Sequence, residues 1–149
     1  MFPLDRHKTI IHCYELLSQR ICAKYHLAHM EYKILMLLYN HPSCTTASDI
    51  VRYCKATKSH VSSSLKHLEQ RGLIQRVYTA DNKKSLKVVL LAPADQIIQE
   101  GRQIQRQFMD QILTGLSPNE KRFGMRAFHK ICDNAEHYFK TAMEQAHEK

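Results

Sequence analysis

Hydrophobic positions recur at helical spacing through most of this chain and switch to strand spacing once. Ile10, Tyr14, Leu17, Ile21 and Tyr25 lay one apolar face along a helix over residues 6–25. A second apolar helix is expected from Met30 to Tyr39, with Ile34, Leu35, Leu37 and Leu38 on it and His41-Pro42-Ser43 closing it. A short helix follows over Ala47 to Cys54. Thr46 can cap it, and Asp49 stands three residues on, the spacing of a capping box. From Lys58 to Arg71, Val61, Leu65 and Leu68 mark the buried stripe of a fourth helix. Thr57 is its expected N-cap, and Gly72 is placed to close it in a left-handed conformation.

The period then changes. Leu73–Tyr78 and Leu86–Leu90 read as two strands, and the polar stretch 79–85 between them as the basic tip of a hairpin. Helical spacing returns over 93–114 with Ile97, Ile104, Phe108 and Ile112, and Gly115 ends that run. Ser117, Pro118 and Glu120 are a dense start signal at N-cap, N1 and N3. The last helix then carries Phe123, Phe128, Ile131, Ala135, Tyr138 and Phe139. The order is α-α-α-α-β-β-α-α, a mainly α chain with a small β-hairpin. A short helix, a tight turn, a second helix and a hairpin make a winged helix-turn-helix. In that arrangement the second helix fits a DNA major groove and the hairpin lies beside it as a wing.

Composition narrows the partner. The chain has 149 residues, enough for one compact unit, and its 44% hydrophobic and 24% charged content is ordinary for a soluble protein. The net charge of +8 favours a polyanion, with nucleic acid first and an anionic membrane surface as the rival. The expected outer face of the fourth helix decides between them. It offers Lys58, Ser59, His60, Ser62, Ser63 and Lys66, and no acidic residue stands anywhere from Cys54 to Leu68. Lysines neutralise phosphates, and serine hydroxyls bond base edges or phosphate oxygens. A winged helix that binds only proteins is the alternative, but it has no need of an acid-free helix beside Lys83 and Lys84. No glycine-rich phosphate loop, nucleophile elbow or persuasive carboxylate pair is present, so an enzyme is not expected. No segment approaches the ~18 apolar residues of a membrane span. No secretory signal is read at the start, and the five irregularly spaced cysteines suit free thiols in a reducing cytoplasm.

Residues 50–76, IVRYCKATKSHVSSSLKHLEQRGLIQR, resemble the helix-turn-helix of the MarR (multiple antibiotic resistance regulator) family, with its Gly72-Leu73-Ile74-Gln75-Arg76 ending. Leu91-Ala92-Pro93-Ala94 and Leu116-Ser117-Pro118-Asn119-Glu120 match two further family signatures. The resemblance implies a homodimeric regulator of transcription, paired through residues 1–28 and 93–149, with residues 29–92 as the DNA-binding lobe. It implies a pseudo-palindromic operator, with ligand-responsive repression as the common mode of action. It gives Lys58, Ser59, His60, Ser62, Ser63 and Lys66 the recognition role and Lys83 and Lys84 the wing role. It also makes Arg76 and Asp81 a pair that braces the wing. Lysine stands where the family has its usual wing arginine, the loop is one residue longer, and Lys55 occupies a place where glycine is common.

The family often binds small aromatic or phenolic effectors between its dimer helices and DNA-binding lobe. Tyr14, Leu17, Tyr32, Leu35, Met36 and Phe108 are the candidates here, with ordinary core packing as the competing reading. A thiol switch is the alternative mode, with Cys13, Cys22 and Cys54 as candidates. The family's peroxide sensors carry their cysteine near position 4, where this chain has leucine. No cofactor or metal is expected, because the ten histidines are scattered and 100–105 holds none of them.

Overall fold

The computed structural model of this chain describes residues 2–79 and 82–147; of residues 79 and 82–85 it describes the backbone alone. After a 3-10 turn at Pro3–Arg6 come α1 (His7–Tyr25), α2 (His29–Asn40), α3 (Ala47–Cys54) and α4 (Lys58–Gln70). The strands β1 (Ile74–Thr79) and β2 (Asn82–Leu90) follow, then a second 3-10 turn at Ala92–Ala94, α5 (Asp95–Ile112) and α6 (Pro118–His147). The mainly helical winged helix-turn-helix read from the sequence is the fold observed.

Helix ends sit where their local chemistry puts them. The Thr46 hydroxyl accepts the Asp49 N–H at 3.1 Å, and the Asp49 carboxylate accepts the Thr46 N–H at 3.1 Å, a reciprocal capping box. Thr57 accepts the His60 N–H at 3.2 Å, and Ser117 and Glu120 cap α6 reciprocally. Helices α1, α3 and α4 close through a left-handed residue: His26 at φ 52°, Lys55 at φ 49° and Gly72 at φ 69°. Each turn lets the next N–H reach back to an orphan carbonyl: Leu27 to Cys22, Ala56 to Val51 and Leu73 to Leu68. Of these three, only Gly72 adopts that conformation without a Cβ penalty.

The two strands pair antiparallel from Ile74↔Leu90 to Tyr78↔Leu86, and Thr79 then pairs with Asn82 across an irregularity. The second strand therefore starts four residues before the expected Leu86. Ladder hydrogen bonds ask nothing of side-chain polarity, so the ladder runs into a stretch that reads as loop. A bridge between Thr46 and Lys87 ties the hairpin to the segment before α3, with the Val88 N–H on the Thr45 carbonyl at 2.7 Å. The fifth helix begins at Asp95, two residues after the expected start, because Pro93 sits in the tight turn ahead of it.

Packing divides the chain into Met1–Phe108 and Met109–Lys149. Within the first unit the centre is α2, whose Tyr32, Ile34 and Leu35 are fully buried together with Ile50, Leu65, Leu68, Ile74 and Ile98 from the surrounding elements. Each such side chain contributes about 1.5–3 kcal/mol by leaving water. Thus α1, and α5 as far as Phe108, pack with the hairpin-bearing lobe inside one chain. The second unit holds α6, which contains no buried residue. Among the described residues, no helix is long and apolar enough to cross a membrane.

Candidate nucleic-acid interface

The packing of α4 fixes which of its residues face outward. Val61, Leu65 and Leu68 are buried as the spacing demands, and Ser64 joins them, its hydroxyl donating to the His60 carbonyl at 2.9 Å. The opposite face carries Lys58, Ser59, His60, Ser62, Ser63 and Lys66, all exposed. The structure brings these six expected recognition residues onto one surface. Ser63 donates to the His60 carbonyl at 3.1 Å, and Ser59 shares a hydrogen bond with Thr57 at 3.3 Å. A hydroxyl that donates inward still has oxygen lone pairs to offer an external donor. The surface carries cations and hydroxyls without a carboxylate, the chemistry a phosphate backbone selects.

The far end of α4 is anchored on three sides, and the sequence reading missed these anchors. Glu69 accepts the Arg76 guanidinium at 2.8 Å from Nε and 2.6 Å from Nη2, and the Arg76 backbone N–H at 3.1 Å. Those hydrogen bonds hold the Glu69 carboxyl below its ordinary pKa. This pair joins β1 to α4, beside the pairing of Arg76 with Asp81 that the family resemblance implies. Asp81 lies outside the described residues, as do the side chains of Lys83 and Lys84. His67 contacts the buried Glu31 of α2. Arg71 reaches the carbonyls of Tyr25 and His26 at the end of α1. These partners lie 7, 36 and 45–46 residues away in sequence, the first across the Gly72 turn and the others at different helices.

A cleft of about 480 Å³ runs between α3, α4 and the hairpin. Val51, Leu65 and Val88 are among its apolar lining residues, and Arg52, Lys58 and Arg76 are its charged ones. Arg52 also bonds Asp49 at 3.3 Å. Hydrogen bonding with Thr46, ahead of that from Thr45 and the charge of Arg52, holds the Asp49 carboxyl below its ordinary pKa.

Of the residues read as a possible effector pocket, Tyr32, Leu35 and Met36 belong to the core cluster and Tyr14 packs against it. Tyr32, Leu35, Met36 and Phe108 are buried, while Tyr14 and Leu17 are half-buried. Tyr14 shares a hydrogen bond with Tyr32 at 3.0 Å, accepts one from Gln105 at 3.1 Å, and lies with its ring centroid 5.4 Å from that of Phe108. Gly101 belongs to this packing, since a Cβ there would collide with the Met36 sulfur. Of the candidate thiols, Cys13 is exposed, Cys22 is half-buried and Cys54 is buried. Burial pushes the Cys22 and Cys54 thiols up in pKa, the opposite of what a reactive thiolate needs. Among the described residues no group of three or more His, Cys, Asp or Glu side chains is placed to hold a metal.

Known proteins share this architecture. The MarR family profile matches residues 27–86. An HTH-type transcriptional regulator of Bacillus subtilis, YwhA, is 31% identical over 101 residues, covering 65% of this chain and 69% of that protein. The crystal structure of the transcriptional regulator SlyA superposes with a TM-score of 0.80 at 18% identity, covering 95% of this chain and 99% of that one. A MarR family regulator from Listeria monocytogenes, solved in complex with a 26-mer DNA, also superposes with a TM-score of 0.80, at 19% identity over 91% of this chain and 90% of its own. At those identities the two structures speak for the fold.

Proposed function

This chain belongs to the MarR family of DNA-binding transcriptional regulators, and on that premise we propose that it works as a homodimeric, ligand-responsive repressor on a pseudo-palindromic operator. The observation that carries the reading is the exposed face of α4. Lys58 and Lys66 flank Ser59, His60, Ser62 and Ser63 on one acid-free surface. Lysine contacts to phosphate supply affinity at any sequence, and the short polar side chains between them read base edges. Arg76, held by Glu69, keeps the hairpin beside that helix, and Lys83 and Lys84 extend the contact as the wing.

The dimer is supported by apolar side chains that one chain leaves in water. Ile10, Ile11 and Leu16 of α1 are at least half exposed, as are Phe123, Phe128, Ile131 and Phe139 of α6. A two-fold axis through such helices carries two recognition helices roughly one DNA turn, about 34 Å, apart. The cleft beneath α4 supports the response to a ligand. Its apolar lining, with Lys58, Arg52 and Arg76 among the lining residues, suits a small aromatic molecule.

The test is fluorescence-anisotropy binding to a duplex recovered from the source genome and to a scrambled duplex, each across a salt series. The expected result is tight, salt-sensitive binding that prefers the recovered site at one dimer per duplex. Equal, weak binding to both would reduce the interface to nonspecific charge and sink the operator reading.

A further inference from the structure

From its position alone Arg71 reads as one more exposed cation beside the recognition helix. The geometry gives it a different task. Its Nη2 donates to the Tyr25 carbonyl at 2.6 Å and its Nη1 to the His26 carbonyl at 3.0 Å. Both acceptors lie where α1 ends through the left-handed His26. The last carbonyls of a helix lack intrahelical donors and carry the negative end of its dipole, so a forked cation is the matching partner. Arg71 is also the C-cap of α4. The two helix ends are therefore fastened directly to each other.

The same stretch of α1 is fastened a second time. The Tyr25 hydroxyl donates to Glu100 of α5 at 2.7 Å, and Lys24 donates to the same carboxylate oxygen at 2.7 Å. These bonds, Lys24 first, hold the Glu100 carboxyl below its ordinary pKa. Tyr25 thus faces two ways, its phenol toward α5 and its backbone carbonyl toward α4.

We propose that Arg71 and Tyr25 are positioning residues that set the recognition helix against the α1–α5 scaffold through the Tyr25 and His26 carbonyls, so that a change in the scaffold is passed to the DNA-reading face. The inference rests on the DNA-binding reading above. Arg71 touches no base or phosphate in this scheme; it acts through the two donors held by the α1 carbonyls.

The test uses the full chain and the same two duplexes, and preference of the unaltered protein for the recovered duplex establishes the DNA reading independently. Arg71→Ala should then weaken specific binding by about tenfold, within the usual range of coupling between sites. Binding to the scrambled duplex and the salt slope should stay as they were. Arg71→Lys should recover part of the loss, because an ammonium can still reach the carbonyls. Tyr25→Phe removes a single oxygen and should cut specific binding by a smaller factor. The loss in the Arg71→Ala, Tyr25→Phe double variant should fall short of the product of the two single losses, since both cut one link. A salt slope lower by about 0.9 per protomer in Arg71→Ala would make Arg71 a phosphate ligand and overturn the proposal. Unchanged specific binding in either single variant, or losses that multiply, would overturn it equally. Should Arg71→Ala fail to fold, Tyr25→Phe carries the test alone.

Discussion

On α4 the exposed side chains include Lys58, Ser59, His60, Ser62, Ser63 and Lys66; on α6 they include Phe123, Phe128, Ile131 and Tyr138, the last 76% exposed. Water is a good solvent for the first set and a poor one for the second. The polar face is stable as it stands and is specialised by what it lacks, a carboxylate. The aromatic stripe is costly as it stands and is explained only by something that covers it. Exposure therefore has two meanings in this chain. On the function proposed above, it marks where a charged ligand arrives at α4 and where a second copy of the chain covers α6.

The sharpest way to break that contrast is to make α6 resemble α4. Phe128→Glu with Ile131→Glu places two charges on the stripe and keeps good helix formers at both positions. Neither residue is buried, at 59% and 60% exposure, so the fold of one chain should survive. Sedimentation should show a monomer, and specific DNA binding should fall by at least about 100-fold, because the second half-site is no longer held at high effective concentration. A variant that remains dimeric and binds normally would remove α6 from the interface.

The complementary change acts on α4. Lys58→Ala with Lys66→Ala should weaken binding to every duplex by roughly tenfold and lower the salt slope by about 2 per protomer, close to one unit for each phosphate no longer neutralised. The oligomeric state should not move. An unchanged slope would mean that this face does not lie on phosphates, and the polar surface would need another occupant.

These two surfaces were legible in the sequence because each is a property of one helix and its period. The caps were legible for the same reason: Thr46 with Asp49, Thr57 with His60, and Ser117 with Glu120 lie three residues apart. What joins the helices was not. Glu69 finds Arg76 across the Gly72 turn, Glu31 finds His67 from another helix, and Arg71 finds carbonyls that have no side-chain signature at all. Ser64 follows Ser62 and Ser63 in the sequence, but helix rotation buries it against the core. Tyr14, Tyr32 and Met36 have the chemistry of a pocket, and only packing shows that Gly101 lets α5 close over them.

The Glu69–Arg76 brace offers a smaller perturbation of the DNA-reading side. The Glu69 carboxyl is held below its ordinary pKa by hydrogen bonds from the Arg76 side chain, then from its backbone. A depressed folded pKa means that the brace adds stability above the ordinary carboxylate range and loses it as pH falls through the folded value. Melts between neutral pH and about pH 3, starting from an ordinary Glu pKa of about 4.3, should lose that contribution in the acid limb. Glu69→Gln should flatten that part of the limb and leave the dimer intact. Identical acid limbs would mean that the brace adds nothing in solution.

Lys55 sharpens the contrast with the least effect on the fold. It closes α3 at φ 49°, a conformation that costs a side-chain-bearing residue about 1–2 kcal/mol. Lys55→Gly removes that strain but frees the unfolded chain, which takes back about 0.4–1 kcal/mol. The net gain should be about 0.5 kcal/mol, or roughly 1–2 °C in Tm for a chain of this length. A strained backbone that persists is a reason to look for what the side chain does. Lys55 stands in the turn of the helix-turn-helix, three residues before Lys58, where a cation can reach a phosphate flanking the recognition helix. Lys55→Gly should therefore be slightly more stable and bind DNA several-fold more weakly, with a salt slope lower by about 0.9 per protomer. If stability rises and the slope does not change, the strain serves no contact with DNA, and the acid-free surface begins at Lys58.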